Sequence, residues 1–549
     1  MAQKFDLVVY GSTSGAVATA IQAARLGRSV ALISPQYHIG GIQINGLGAT
    51  DIDNQAEFQN STTVGGLSLE LHQRISKFYN RLERLNEIVQ KRIKDPDIWR
   101  FESRVAEKVI SDWLAEHSSI TIIKVRLHVP LRNRLINNVK SSLVESDDAV
   151  QCSGGQIQAV RLENGDVVTG KIFVEASYEG DFLAAAGIGW TRGREASSVY
   201  GESLAGVRHE TLYRQIDVDV DPYNEPGDPS SGLLYGISDE PFGKPGDGDL
   251  HLQSYSYRLP VTDDPENRVP FAEPNGYDPS HYELHRRYLA AGGEFYMPRK
   301  RLPGEKTDLI GSEGALSTDL LGMNDEWPVA SRKQRKEILE DTARFTKGLL
   351  WFISTDQAVP EKYRQVWSRF GYCRDEFPDN DHFPYELYVR DARRMISDYI
   401  VTEATASRDG GSEPVKDPIA VAYWPTDTHS VRRILRDGKV HNEGFIFKDG
   451  HKWRPFGISY RALVPKREQA INFITVTCPS SSHVGYGAVR LEHQFYAIGQ
   501  ASANAADIAI TQGCALQDVP YAELKDRLTE QGVVIDDTRV GTPSFSDDP

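Results

Sequence analysis

The sequence predicts an α/β protein built around a parallel sheet. Three neighbouring features near the N-terminus predict it. An apolar run at Leu7–Val9 leads into a small-residue turn at Gly11–Ala16, and Val17 and Ile21 follow at helical spacing. A second apolar run, Val30–Ile33, completes a βαβ unit. Because both runs are continuously apolar, we expect helices on both faces of the sheet.

Length and charge limit the possible functions. A chain of 549 residues exceeds one ordinary core, so we expect two or more domains and room for a large pocket. Its formal net charge is −15, whereas nucleic-acid binding requires a basic surface. The sequence therefore argues against a nucleic-acid partner.

Later segments alternate between helical and strand patterns. We expect a helix in residues 101–118, strands in 120–130 and 156–176, and a hairpin turn at Asn164–Gly165. Surface loops rich in Pro, Gly and Asp follow from about residue 206, and helical patterns return at 332–410. A strand at Ile471–Val476 then leads to a helix expected from about 500 to 512. The order suggests a sheet domain with a long insertion.

The first turn has the chemistry of a dinucleotide site. Small residues there let the backbone approach a pyrophosphate, whose charge the helix N-terminus stabilises. Thr13 and Ala16 replace the second and third glycines of the GxGxxG pattern, and such a turn can also serve plain strand-to-helix packing. Its place in a complete βαβ unit favours a cofactor. The predicted contacts are Gly11, Ser12, Thr13, Ser14, Gly15 and Ala16.

Two further segments are expected to line the same cofactor. After the second strand, Ser34 with Pro35 stands where an acidic residue normally binds the adenosine ribose, and a hydroxyl can make that bond. Gly40 and Gly41 follow, where flavoproteins of the glutathione-reductase type pass their backbone along the flavin. The pair therefore indicates a flavin rather than a nicotinamide.

Metal chemistry and a membrane location are not expected. Cys152, Cys373, Cys478 and Cys514 form no CxxC pair, and we expect all of them to be buried thiols. Asp427 and His429 have metal-ligand side chains with nothing nearby to complete a site, so the sequence predicts no metal. With neither a signal segment nor a long apolar run, a cytoplasmic protein is expected.

The chain resembles a family of FAD-dependent oxidoreductases with the glutathione-reductase-type fold, some of whose members carry a xanthan-lyase label. The resemblance runs through most of the chain in the same order and spacing. The segments that carry it are YGSTSGAVATAIQAARLG, HIGGIQINGLGATD, RVAEKV, VEASYEGDFLAAAG, GREASSVYGESLAGVR, YRLPVTDDPENRVPF, LYVRDARRM, SYRALVP and CPSSSHVGYGAVRLEHQFYAIGQASANAA.

This resemblance implies a discontinuous FAD domain and its cofactor contacts. Residues 1–205 and 455–549 would form the FAD domain, and 206–454 an inserted mixed α+β substrate or cap region. Ala176 and Ser177 would close over FAD at a strand end. The helix opened by Gly499, Gln500, Ala501 and Ser502 would point its N-terminus at the flavin pyrimidine edge, where a reduced flavin carries negative charge.

Catalysis at a flavin also needs a substrate C–H and a base. We expect His483 to be the base, because it precedes the flavin-facing helix on a loop after a strand. Tyr460 and Arg461 are expected to take part in catalysis and to bind a carboxylate or oxygen-rich substrate. Arg390 is a further substrate-binding candidate, with an ion pair to Asp391 or Glu403 as its alternative.

The sequence favours an oxidase or dehydrogenase that takes a hydride from a small polar metabolite to flavin N5 and passes the electrons to oxygen or another acceptor. A redox-neutral isomerase or biosynthetic tailoring enzyme is the alternative, and a polysaccharide lyase built on Tyr460, Arg461 and His483 is a third. Neither a second GxGxxG unit nor a CxxC pair is present, which argues against a disulfide reductase. The substrate, acceptor, flavin attachment and oligomeric state stay open.

Overall fold

The computed structural model describes residues 3–56, 58–128, 149–209, 211, 213–406, 414–447, 453 and 455–535. The helices are α1 Ser14–Arg25, α2 Gly66–Phe78, α3 Leu82–Lys91, α4 Ser103–Ala115, α5 Asp181–Ala185, α6 Ser197–Tyr200, α7 Glu283–Ala290, α8 Arg332–Thr355, α9 Glu361–Trp367, α10 Glu403–Ala406, α11 His483–Val489, α12 Glu492–Gln512 and α13 Tyr521–Glu530. The strands are β1 Gln3–Tyr10, β2 Val30–Ile33, β3 Ile120–Ile123, β4 Val150–Ser153, β5 Gln156–Arg161, β6 Val167–Glu175, β7 Trp190–Thr191, β8 Leu259–Thr262, β9 Arg268–Pro270, β10 Lys300–Leu302, β11 Lys306–Leu309, β12 Gly371–Cys373, β13 Arg394–Met395, β14 Pro418–Ala422, β15 Arg432–Arg436, β16 Lys439–Glu443, β17 Phe456–Ser459 and β18 Phe473–Thr475.

The predicted parallel sheet is confirmed. Its strand order is β3-β2-β1-β6-β5-β4, and β18 also pairs with β6. The pairs β1–β2, β1–β6, β2–β3 and β6–β18 are parallel, whereas the hairpin strands β4 and β5 run antiparallel. The sheet thus takes strands from the first third of the chain and one from near its C-terminal end. Its parallel part ends where Tyr10, Ile33 and Glu175 lie side by side.

The hairpin between β5 and β6 forms as predicted. Gly165 has φ +86°, the left-handed region that such a turn requires, and its N–H donates to the Leu162 carbonyl at 2.9 Å. The helix expected in residues 101–118 is α4. The strand expected up to residue 130 is shorter, because β3 ends at Ile123, and residues 129–130 lie outside the described ranges.

Helices α1 and α12 cross on one face of the parallel sheet. Small residues make this close crossing possible, because a Cβ added at Gly499 of α12 would lie 2.5 Å from the carbonyl oxygen of Gly15 in α1. Val17 and Ile21 of α1 and Ile498 of α12 are fully buried in the shared core. The crossing therefore joins the N-terminal βαβ unit to the C-terminal segment.

A second sheet lies in the region between the two parts of the first. It is antiparallel, with the order β10-β11-β8-β12-β9. Strands β8 and β11 are fully buried, and Ser256, just before β8, forms an isolated bridge with Tyr388. This sheet positions the polar residues described below.

The four cysteines differ in their burial. Cys373 and Cys478 are buried as expected, but Cys152 is exposed and Cys514 only partly buried. The expectation is wrong for Cys152 because it lies on the outer strand β4, three of whose four residues face solvent. No helix within the described ranges combines the length and the apolar character that a bilayer crossing requires.

Candidate functional site

Gly11 lies at the end of β1, where the chain turns towards α1. Its N–H donates to the Ile33 carbonyl at 2.9 Å, and its φ is +143°. An added Cβ would lie 1.9 Å from the carbonyl oxygen of Ala176, so the carboxyl ends of β1 and β6 approach too closely for any side chain here. The structure therefore explains Gly11 by strand packing as well as by a cofactor.

The turn after Gly11 presents the start of a helix. Thr13 is the N-cap of α1: its hydroxyl accepts from the Ala16 N–H at 3.3 Å and donates to the Ala176 carbonyl at 2.7 Å. At any helix start the first N–H groups lack an intrahelical acceptor, and here they belong to Ser14 and Gly15. These N–H groups and the helix dipole form an anion site at the sheet edge.

The predicted glycine pair folds back over this turn. The Gly40 N–H donates to the Ser12 carbonyl at 2.7 Å. A Cβ on Gly41, whose φ is +62°, would lie 3.1 Å from Thr13 Cα and 2.4 Å from the Tyr178 hydroxyl. The pair begins a short 3-10 helix, Gly41–Ile44. The sequence therefore identified two segments that meet in the structure.

A buried carboxyl links the turn to α12. Glu492, the first residue of α12, accepts hydrogen bonds from the hydroxyls of Ser14 and Tyr178, the latter at 2.6 Å. Burial raises the pKa of Glu492 to about 7, although both hydrogen bonds favour its ionised form. Glu492 was not among the residues predicted from the sequence. The one sequence feature that could have indicated it is an acidic residue at a helix start within an apolar segment.

The predicted start of the C-terminal helix is wrong. Residues Gly499–Ser502 lie in the middle of α12, which begins at Glu492, so they do not offer free N–H groups to a cofactor. Gly499 instead packs on α1, and the Gln500 side chain accepts from the Leu67 N–H at 2.8 Å. The helix start that reaches the cofactor turn is at Glu492, since its side chain bonds Ser14 there.

The remaining predicted cofactor contacts lie beside the turn and stay predictions. Ser34 follows β2, and its hydroxyl donates to the Gln36 carbonyl at 2.6 Å. The carbonyl of Pro35 accepts from Arg126 at 3.0 Å. Ser177 follows β6, and its hydroxyl accepts from the Gly180 N–H at 3.2 Å. Each of these residues is engaged locally at the carboxyl edge of the sheet.

Two buried arginines converge on one tyrosine near the start of α12. Arg490, two residues before α12, points a guanidinium N–H at the Tyr388 hydroxyl, 3.3 Å away. The guanidinium of Arg390 lies 4.6 Å from the centre of the Tyr388 ring. All three residues are buried. A guanidinium and a phenol in such a place can orient a polar substrate.

Asp51, in the segment that follows Gly41, interacts electrostatically with Arg490. It is half-buried, and burial raises the pKa of its carboxyl, with Asp427 adding to the effect and Arg258 and Arg490 opposing it. Arg258 is held by a bidentate bond to Asp308, with both contacts at 2.8 Å. A carboxyl with a raised pKa beside two cations is a candidate proton acceptor. The sequence analysis did not single it out.

Arg390, predicted to bind substrate, makes a different ion pair from the expected ones. It lies 3.5 Å from Asp319 and donates to the Ser256 hydroxyl at 3.0 Å, whereas neither Asp391 nor Glu403 pairs with it. Arg394 is the residue that pairs with Asp391, at 2.8 Å. The alternative role, an ion pair with Asp391, is thus found for Arg394, and substrate binding by Arg390 stays a prediction.

His483 begins α11 and its ring is buried. Nδ1 lies 2.9 Å from a carboxylate oxygen of Asp391, as in an oriented base. Nε2, however, is enclosed and has no hydrogen-bond partner among the described residues. A base must be reached by its substrate, and the His483 side chain is only 1% exposed, so its catalytic role stays a prediction.

The structure does not bring Tyr460 and Arg461 to this site. The Tyr460 hydroxyl donates to the Leu516 carbonyl at 2.7 Å, beyond the C-terminal end of α12. At 1.5 Å per residue, α12 separates that end from Glu492 by about 30 Å. Arg461 pairs with Asp417 at 3.1 Å and is half exposed. Proximity in sequence to the returning segment thus did not place either residue at this sheet edge, and the catalytic and substrate-binding roles of both stay predictions.

The fold and this site define a dinucleotide-binding α/β protein, with a parallel sheet and a helix start at a glycine turn. The chain belongs to the FAD-dependent oxidoreductase family, whose model matches residues 6–528. This is the family that the sequence predicted, and membership in it supports FAD as the cofactor. A comparison with curated proteins returned no match.

Solved structures match part of the chain. L-proline dehydrogenase from P. horikoshii is 15% identical over 36% of this chain and 59% of its own, with a TM-score of 0.25. L-amino acid deaminase from Proteus vulgaris is 13% identical over 36% and 53%, with a TM-score of 0.23. Thioredoxin reductase from T. acidophilum is 14% identical over 37% and 42%, with a TM-score of 0.17. The chain thus spans between 42% and 59% of the length of these relatives, and the likenesses carry no argument about substrate.

The residues at the sheet edge fit FAD. The α1 start suits a pyrophosphate, and Gly40 and Gly41 leave the backbone bare beside it. Near this turn, three buried side-chain oxygens have no hydrogen-bond partner among the described residues. They are the Oε1 atoms of Gln43, Glu386 and Gln494. Buried polar atoms are normally satisfied, so these oxygens are acceptor sites that a polar cofactor would use.

Proposed function

We propose that the chain is an FAD-dependent dehydrogenase or oxidase that takes a hydride from a small polar metabolite bound at Asp51, Tyr388 and Arg490. One observation carries the proposal: the buried pair Arg490 and Tyr388 adjoins the start of α12, whose Glu492 bonds the cofactor turn. When bound, FAD supplies the two-electron acceptor at its N5 position. The electrons then pass to oxygen or another acceptor.

Each residue of the cluster has a role in this proposal. Arg490 and Tyr388 hold the oxygen or nitrogen of the substrate group that is oxidised. Asp51 takes the proton that this group loses, because it is only half-buried and burial raises the pKa of its carboxyl. Arg258 and Arg490 stabilise the ionised form of Asp51 before the reaction. We assign the base to Asp51 rather than to His483.

We also propose the domain division that the resemblance implies, with a fold of the glutathione-reductase type. Residues 1–205 and 455–549 would form the FAD domain, and 206–454 a substrate or cap region. In support, the parallel sheet combines β1–β6 with β18, and Tyr388 comes from the intervening region. Residue 454 and residues 536–549 lie outside the described ranges.

The first experiment is the visible absorption spectrum of the purified protein, followed by anaerobic mixing with small alcohols, amines and hydroxy acids. We expect flavin bands, and loss of the oxidised flavin band with one of these classes. If flavin is bound and no C–H donor bleaches it while product analysis shows a rearranged or eliminated substrate, the redox-neutral or lyase alternative replaces the proposal.

Two variants assign the base. Asp51→Asn should slow flavin bleaching by about 100-fold or more and remove the rise of the bleaching rate with pH, since a general base contributes about 10²–10⁴-fold. His483→Gln should keep that pH dependence. If instead the bleaching rate of His483→Gln no longer depends on pH while that of Asp51→Asn still does, the base is His483.

A further inference from the structure

Arg433 is a buried cation without a carboxylate partner. It lies on β15 and is 6% exposed. Its Nε donates to the Asn442 side-chain oxygen at 2.8 Å. Within the described ranges, no carboxylate lies within ion-pairing distance of its guanidinium. Burial lowers the pKa of Arg433 to about 10, with only Asp319 opposing the shift. An unpaired buried charge is costly, so a fold that retains one has a use for it.

A second arginine lies at the same cavity. Arg214 donates to the Ser312 hydroxyl and rests 4.8 Å from the centre of the Phe445 ring, and no carboxylate of the described chain pairs with it either. Its backbone carbonyl accepts from the Asn442 side chain at 2.8 Å. Asn442 therefore fixes Arg433 and the backbone of Arg214 in one arrangement.

The charges around the cavity do not balance. Asp319 is the carboxylate that lines it, and it already lies 3.5 Å from Arg390 and 2.6 Å from His429 Nδ1. Burial, reinforced by Arg390, lowers the pKa of His429 to about 4, so this ring is neutral at pH 7. Two guanidinium groups, those of Arg214 and Arg433, thus line a cavity whose one lining carboxylate already pairs with Arg390.

The other titratable neighbour of Arg433 adds no negative charge. His285 is 4% exposed, and neither of its ring nitrogens has a hydrogen-bond partner in the described chain. Burial, with Arg433 adding to it, lowers the pKa of His285 to about 3. The positive charge of Arg214 and Arg433 is therefore available to a negatively charged ligand.

The cavity between these residues has a volume of about 20 Å³ and is also lined by Ser317 and Ser430. That volume exceeds the need of one water molecule but admits only the end of a larger molecule. We propose that Arg433 and Arg214 form a subsite for the carboxylate of the enzyme's substrate. A guanidinium fork matches a carboxylate, and the serine hydroxyls supply further donors.

A row of neighbouring side chains leads from the subsite to the proposed reaction site, and the inference rests on that proposed function. Asp319 lines the cavity and lies 3.5 Å from Arg390, whose guanidinium stacks on the Tyr388 ring. Tyr388 in turn lies 3.3 Å from Arg490. A substrate anchored by its carboxylate at Arg433 would extend along this row of residues.

The test uses formate as the probe and the FAD-loaded protein as the sample. Formate is titrated at constant ionic strength while the melting temperature is followed, with chloride as the comparison ion. We expect the melting temperature to rise with formate and to saturate. The formate affinity should be at least 10-fold lower in Arg214→Gln and in Arg433→Gln. Arg436→Gln, on the same strand β15 and stacked on Phe242, is the matched control and should bind formate as the wild type does.

Arg214→Gln keeps the test valid if Arg433→Gln fails to fold, because Arg214 is only half-buried. Equal formate effects in the wild type and Arg214→Gln would overturn the subsite. So would chloride binding as strongly as formate, since that marks a site for inorganic anions. Formate should also compete with the substrate that bleaches the flavin, and binding without competition would overturn the substrate role. If no metabolite bleaches the flavin but formate binding depends on Arg214, the proposed function fails while the carboxylate site stands.

Discussion

Gly41 is the residue whose replacement tests the cofactor turn most directly. Gly41→Ala puts a Cβ 2.4 Å from the Tyr178 hydroxyl and 3.1 Å from Thr13 Cα. We expect FAD affinity to fall at least 10-fold, because the turn must shift, and stability to fall by about 1–3 kcal/mol. Gly27→Ala is the control: its φ is +79°, and nothing lies within 4 Å of the added Cβ. Titration of the FAD-depleted variants with FAD, followed by flavin fluorescence, measures the FAD affinity of each variant. Equal affinities would contradict the role of Gly41.

Glu386 predicts a pH effect on stability. It is buried, one of its oxygens has no partner among the described residues, and burial raises its pKa to about 8, with Glu179 and Glu492 adding to the shift. The native state therefore favours the protonated form. The stability this gives is complete below the unfolded pKa of 4.5 and is lost as pH rises towards about 8.

Replacing Glu386 by Gln removes this loss. We expect the free energy of unfolding of the variant to equal that of the wild type at pH 4. At pH 9 it should exceed the wild-type value by a few kcal/mol, since one pKa unit corresponds to about 1.4 kcal/mol. Urea unfolding of the FAD-depleted proteins at both pH values measures the difference. A Gln variant less stable than the wild type at pH 9 would show that the carboxylate is stabilised in the native state.

At this scale, the glycines could be predicted from sequence and the polar cluster could not. Gly11, Gly40 and Gly41 stand next to strand ends, where close backbone approach leaves a local pattern. Tyr388 and Arg490 lie 102 positions apart and meet only through tertiary packing. A buried arginine has no local sequence signature that separates it from an exposed one.

At the scale of elements, the crossing of α1 and α12 determines how the C-terminal segment docks. We expect Gly499→Val to destabilise the protein by about 1–3 kcal/mol, because the side chain would overlap the Gly15 carbonyl and Ala18 of α1. Ala497→Val carries the same β-branched side chain at a half-buried position of α12 and serves as the control. Thermal unfolding measures both, and equal losses would mean that helix propensity alone explains the effect.

The same helix shows where sequence reasoning about elements failed. The segment around Gly499 is rich in small residues, and a glycine before an alanine-rich run is typical of a helix start. In α12 the glycine is instead required by the neighbouring helix, and residues 492–498 are as buried as the rest. A helix buried on nearly all sides has no apolar stripe to mark its first turn.

At the scale of the whole molecule, the parallel sheet is assembled from strands near both ends of the chain. Residues 473–475 pair with β6, and α12 packs on α1. A fragment of residues 1–454 lacks both partners, so we expect it to aggregate and to bind no flavin. Co-expression of residues 455–549 should restore flavin absorbance in the soluble fraction. A yellow, monodisperse 1–454 fragment would contradict this arrangement.

The extent of the sheet could be predicted from sequence because continuous apolar runs mark its strands. The middle of the chain could not be derived in this way. Its strands β8–β12 are mostly three or four residues long, too short for a clear period, and they are separated by loops. Only the tertiary structure shows that Ser256, just before β8, bridges to Tyr388 of the proposed reaction site.

The late position of β18 also bears on how the enzyme is made in the cell. A ribosome adds about 5–20 residues per second, so the roughly 300 residues between β6 and β18 take about 15–60 s to synthesise. Throughout that time the apolar edge of β6 and the packing face of α1 lack their partners. Nascent chains of this enzyme should therefore depend on chaperones that shield unpaired strands, and flavin loading should follow release from the ribosome.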